Sequence, residues 1–89
     1  MRNLGEIFHS SANASLGTCK ISLFAWNGKF LVKFEQGLVE QTLKFEDLEL
    51  PDGGETAVRA RLTPVFIDKV LGGFAALHRL REDFLESAP

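Results

Sequence analysis

Few residues in this chain are of types that do chemistry: a single cysteine, Cys19, the histidines His9 and His78, and the carboxylates Glu46, Asp47, Glu49, Asp52 and Glu55. A nucleophilic cysteine needs a nearby cation or helix N-terminus to lower its pKa. Cys19 stands instead in the run Thr18-Cys19-Lys20-Ile21-Ser22-Leu23, at the same parity as Ile21 and Leu23. That placement reads as a small apolar residue facing a core. Neither histidine neighbours Cys19 in the chain, so either would have to reach it through space. His78 borders an apolar helical stripe and reads as an ordinary helix-surface histidine. No histidine, cysteine or carboxylate spacing matches a metal site. The acidic run lacks the ordered oxygen donors of a calcium loop and reads as a solvated turn. Pro51-Asp52-Gly53-Gly54 and Leu71-Gly72-Gly73-Phe74 lack the glycine spacing and following Lys-Ser/Thr of a phosphate loop. No cofactor is implied, and the chain is read as non-enzymatic.

A second constellation is aromatic and basic. Phe24, Trp26 and Leu31 alternate with Lys20, Lys29, Lys33 and, further on, Lys44. On one sheet face this pattern has three uses. It can be an interface, because clustered exposed aromatics mark association. It can be cross-strand packing, including a Trp26–Lys29 cation–π contact. It can also stack bases while lysines hold phosphates. Nearby Glu35, Glu40 and Glu46 leave the field weak, so self-association is preferred and nucleic acid ranks last.

The elements that position these residues centre on Asn27-Gly28, a two-residue turn signal between two alternating runs. Strands over 18–26 and 29–35 follow. The register sets Ala25, Leu23 and Ile21 opposite Phe30, Val32 and Phe34 on an apolar face. Trp26–Lys29, Phe24–Leu31, Ser22–Lys33 and Lys20–Glu35 fall on the other face, the last as a salt pair. Gln36-Gly37 is read as the next turn and 38–45 as a third strand. A two-residue loop there pairs Phe34 with Val39, Phe30 with Leu43 and Lys33 with Glu40. Residues 55–62 suit a fourth extended piece slightly better than a helix. Thr63 as N-cap and Pro64 at the first helical position open a long helix over 64–86. Its apolar stripe contains Phe66, Val70, Leu77, Leu80 and Phe84, and Arg79–Asp83 is an i,i+4 surface pair. Gly72-Gly73 in its middle predicts a kink or the close approach of another backbone. In residues 1–17, Asn3 and Glu6 suggest a short capped helix, followed by a loose polar stretch.

Eighty-nine residues make one domain. The apolar set is 45% of the chain before its 8 glycines are counted, which excludes disorder as a general description. A net charge of −2 argues against non-specific nucleic-acid coating. One cysteine excludes a disulfide framework, and neither an export signal nor a membrane span is read. The expectation is therefore an α+β domain: a three- or four-stranded antiparallel meander with a long C-terminal helix packed on one face. Such a thin layer has little stability to spare. We therefore expect a small cytoplasmic interaction or regulatory module, acting as a homodimer or with an unidentified protein partner. The expected surface is Phe24, Trp26, Lys29, Leu31, Lys33, Gly72 and Gly73; a nucleic-acid accessory role is the alternative.

Overall fold

A computed structural model describes residues 1–50 and 53–87. Four strands, β1 (Arg2–Ser10), β2 (Thr18–Trp26), β3 (Lys29–Gln36) and β4 (Val39–Glu46), form an antiparallel sheet in sequence order. A 3-10 turn (Asp47–Glu49) leads to α1 (Gly54–Arg61), α2 (Pro64–Gly72) and α3 (Phe74–Glu86). The α+β meander with a packed C-terminal helical layer is as expected.

The β2–β3 hairpin follows from its turn. Asn27 (φ 52°) and Gly28 (φ 75°) both take positive φ, as the turn matching strand twist requires. Every expected β2–β3 pair is present, from Trp26–Lys29 to Lys20–Glu35. The apolar parity then forms the core: Cys19, Ile21, Leu23, Val32 and Phe34 are buried beneath Ile67, Leu71 and Phe74 of the helical layer. Phe66 of α2 adds a tilted ring contact to Phe34, with centroids 6.3 Å apart.

The next hairpin differs by two residues. Its loop is Gly37-Leu38, not Gln36-Gly37, so Gln36 pairs with Val39, Phe30 with Phe45 and Val32 with Leu43. Only Gly37 (φ 59°) has positive φ there, which puts glycine first in the loop as a II′ turn demands. A slip of two preserves the faces. It replaces the expected Lys33–Glu40 pairing by Lys33–Thr42 and sets Glu35 opposite Glu40.

Two further expectations are corrected. The N-terminal segment is a strand, not a short helix. Gly5 takes φ 121°, which no helix accommodates, and the Asn3 side chain accepts from the Gly5 N–H at 2.8 Å instead of capping a helix. A bulge between Asn3 and Gly5 follows, and Ile7 pairs with Ile21. Pairing with β2 satisfies more backbone than a single isolated turn of helix. The polar stretch after it is also structured. Asn13 accepts from Ser15, and Gln36 donates to the carbonyls of Leu16 and Thr18, each at 3.1 Å. Residues 55–62 fall largely in α1 rather than an extended piece. Ala57 and Val58 are buried, and Glu55 accepts from Arg59 at 3.0 Å, so helix propensity and one buried stripe outweigh the short alternation. The expected Pro51–Gly54 turn lies partly outside the described residues.

The long helix is bent. α2 ends at Gly72 and α3 begins at Phe74, with Gly73 still in right-handed helical backbone. Thr63 caps α2 as expected, accepting from the Phe66 N–H at 3.2 Å. Two glutamines tie this layer to the sheet. Gln41 of β4 donates to the Val70 carbonyl at 2.9 Å, at the bend itself. Gln36 Oε1 meets His78 Nε2 of α3 at 3.0 Å. The molecule measures 47 × 34 × 19 Å, thin as one helical layer on one sheet must be. Its long dimension exceeds the ~30 Å of a nine-residue strand.

The Glu35–Glu40 pair offers a check on this register. Like charges directly opposite destabilise a ladder, so Glu40→Lys should stabilise the protein by about 0.2–1 kcal/mol. A denaturant midpoint unchanged or lowered by Glu40→Lys would argue for the other register.

Candidate functional site

Strand pairing brings His9 directly opposite Cys19 on the inner face. α2 then supplies Asp68, whose carboxylate lies 3.2 Å from His9 Nε2. A carboxylate, an imidazole and a thiol are thus gathered from three elements, in the order a nucleophilic triad would use. The electrostatics run the opposite way. Burial pushes the Cys19 thiol above its ordinary value of 9.0, and the Asp68 carboxylate raises it further. A thiolate here would lose hydration and face a like charge. The arrangement instead ties β1 to α2, with Cys19 filling the core beside it. Asp68 had no distinguishing mark in sequence, since an acidic residue in a helix is ordinary until the fold aims it at a histidine. No group of three or more His, Cys, Asp or Glu side chains among the described residues is placed to hold a metal ion.

The outer sheet face is less open than its composition suggests. Phe24, Leu31 and Lys33 are half-buried, while Lys29 and Trp26 are exposed, Trp26 at 53%. The cation–π contact is Lys33 over Phe24 at 5.8 Å, in place of the expected Trp26–Lys29 contact. Lys20 pairs with Glu6 at 3.3 Å and Lys33 with Glu35 at 3.5 Å, so the expected Lys20–Glu35 salt pair gives way to partners on other positions. The strand register puts Lys20, Lys29, Lys33 and Lys44 on a face shared with Glu6, Glu35, Glu40 and Glu46. Those charges cancel on that face, and Lys20 and Lys33 lean on their own neighbours.

Gly72 and Gly73, expected at the same interface, sit on the helical layer opposite. A Cβ at Gly72 would meet nothing within 4 Å, whereas at Gly73 it would meet the Gln41 amide at 3.3 Å. Gly73 therefore makes room for the glutamine that fixes the bend. The sequence thus groups seven residues that the structure divides between two opposite faces.

The large apolar surface lies elsewhere, at the end of α3. Leu80, Phe84 and Leu85 are 64%, 78% and 58% exposed. The spacing of Leu80 and Phe84 had suggested a stripe packed on the sheet. Strands of this length do not reach them: the last tie is His78 to Gln36, beside the Gly37 turn, and the helix continues past it. The expected Arg79–Asp83 pair is not formed. None of Arg79, Arg81, Glu82, Asp83 and Glu86 has an ion-pair partner within 4.0 Å among the described residues. No protein-family model, no curated protein and no solved structure matches the chain.

Two outcomes test this description. The folded pKa of Cys19 is raised, so its contribution to stability is complete below the unfolded thiol's value and is lost as pH climbs through the folded one. Thiol labelling at pH 8 should be slower in the native protein than in denaturant by at least about two orders of magnitude, because it must wait for opening; comparable rates would place Cys19 at the surface. Gly72→Ala should stabilise by about 0.5–1 kcal/mol, having open space and helical backbone. A loss of stability on Gly72→Ala would mean that another backbone occupies that space.

Proposed function

We propose that this protein is a small non-catalytic interaction module of the cytoplasm that works as a homodimer, joined through the projecting half of α3. The observation that carries this reading is the exposure of Leu80, Phe84 and Leu85 on a helical segment the sheet does not cover. A helix of 13 residues is marginal in water unless an apolar face is packed. A cluster of large apolar side chains at its end marks a contact surface.

A second copy of the chain fits this surface by charge. The projecting segment is basic at its start, Arg79 and Arg81, and acidic at its end, Glu82, Asp83 and Glu86. Two such segments side by side in parallel would set like charges together. Antiparallel about a two-fold near Glu82, they set Leu80 of each copy by Phe84 of the other, and, on one flank of that contact, Arg79 by Asp83. That is an isologous contact, the commonest route to a closed dimer. The buried free thiol of Cys19 suits a reducing compartment. Among the described residues no helix is long and apolar enough to cross a membrane. The outer sheet face remains the surface for any further partner, with Phe8 and Trp26 its most exposed rings.

Sedimentation of the full chain at micromolar concentration tests the reading, with a dimer expected. Phe84→Glu should raise the dissociation constant at least about thirtyfold, as for a hot spot of ~2 kcal/mol, with little change in secondary structure. Arg79→Glu should also weaken the dimer, and Asp83→Arg in the same chain should restore it. A wild-type monomer at these concentrations defeats the proposal. Salt-sensitive quenching of Trp26 by an oligonucleotide would favour nucleic-acid binding instead.

A further inference from the structure

α1 and α2 pack on the inner face of the sheet and leave it incompletely covered beside Leu43 and Phe45 of β4. The gap is a cleft of about 560 Å3. Phe34, Leu43 and Phe45 form its floor, and Leu62 and Phe66 its helical wall. Protein interiors rarely leave voids much larger than a water molecule, and this volume falls inside the ~300–1,000 Å3 typical of ligand sites. Leu43 stands at the open side, 37% exposed.

Two side chains with hydrogen-bond donors, Arg61 and Thr63, stand among the otherwise apolar residues that line this space. Arg61, the only charged side chain lining the cleft among the described residues, spends one N–H on the Ala57 carbonyl at 2.8 Å. Its remaining N–H groups have no carboxylate within 4.0 Å among the described residues. The Thr63 oxygen accepts from the Phe66 N–H, which leaves its O–H free to donate. α2 starts at the same place, and its first turn contains no acidic side chain to offset the positive end of the helix. A cation, a hydroxyl donor and a helix N-terminus thus meet at one end of a greasy trough. Their complement is a molecule with a single apolar chain and an anionic head able to take two parallel hydrogen bonds from a guanidinium.

We propose that this cleft binds a single-chain alkyl carboxylate, its chain along the β3–β4 floor and its head at Arg61 and Thr63. None of the lining residues belongs to α3, so the site stands or falls separately from the α3 dimer.

Titration calorimetry of the full chain with dodecanoate, below its micelle concentration, is the direct test. One site per chain is expected, with affinity rising about three- to fourfold per methylene from octanoate to dodecanoate. Arg61→Ala should weaken binding at least about tenfold, and dodecyltrimethylammonium should not bind. Leu43→Trp, which fills the open side, should abolish binding. Should that variant fail to fold, methyl NMR shifts of Leu43, Leu50, Val58 and Leu62 in the wild-type chain locate the ligand instead. No heat with dodecanoate, no dependence on chain length, equal binding of the ammonium, indifference to Arg61→Ala, or shifts confined to other methyls would each overturn the assignment.

Discussion

A two-residue turn between β2 and β3 leaves these strands a single way to pair. One step of slippage would carry Ile21, Leu23, Val32 and Phe34 to the solvent side and bring lysines and glutamates under the helices. Burying those charges unpaired would cost far more than the few kcal/mol by which a domain of this size is stable. The Asn27–Gly28 reversal therefore decides more than its own hairpin. It fixes which side of the ribbon is apolar, and so which side α1 and α2 cover and where β1 and β4 must add. The burial of Ile67, Leu71 and Phe74 is a consequence of that choice.

The helical layer is located by polar side chains as well as by the core. Apolar packing is nearly non-directional, and a single layer on a twisted sheet could settle at several angles. Gln41 at the bend, Gln36 at His78, and the His9–Asp68 contact pin α2 and α3 at three points around the core. Gln36 uses its whole amide: two N–H donations to the Leu16 and Thr18 carbonyls, at the entry to β2, and its oxygen toward α3. Each tie is modest alone, about 0.5–1.5 kcal/mol for a neutral hydrogen bond. Together they select one orientation among packings of similar hydrophobic energy.

What the sequence made legible was local. The Asn27-Gly28 turn, the alternation around it, and the Thr63-Pro64 helix start each depend on residues within a few positions of one another. The misread segments are those whose state depends on partners far away in the chain. Asn3 and Glu6 resemble a helix cap until β2 offers a ladder. Val58, Ala60 and Leu62 alternate like a strand, yet only the Ala57–Val58 stripe of α1 is buried. For the candidate surfaces the same limit holds. Phe24, Trp26 and Leu31 were correctly placed on the face away from the helices. How far Lys33 leans over Phe24 depends on rotamers that spacing does not determine. Leu80 and Phe84 were recognised as one stripe, but their exposure depends on where the sheet ends. Asp68 and the cleft beside β4 needed the third dimension altogether.

The bend at Gly73 has a consequence for motion. A proline kink is permanent, because the ring removes an N–H and blocks the preceding turn. Here every backbone N–H is retained, and the curvature rests on a glycine and on a side-chain amide reaching across from β4. Exchanging that amide contact for water would let α2 and α3 approach a common axis without breaking anything covalent. The free end of the last helix, several turns from its pivot, would sweep an arc much wider than the change at the pivot itself. Its heading is set by that amide together with the buried Phe74 and the His78–Gln36 contact.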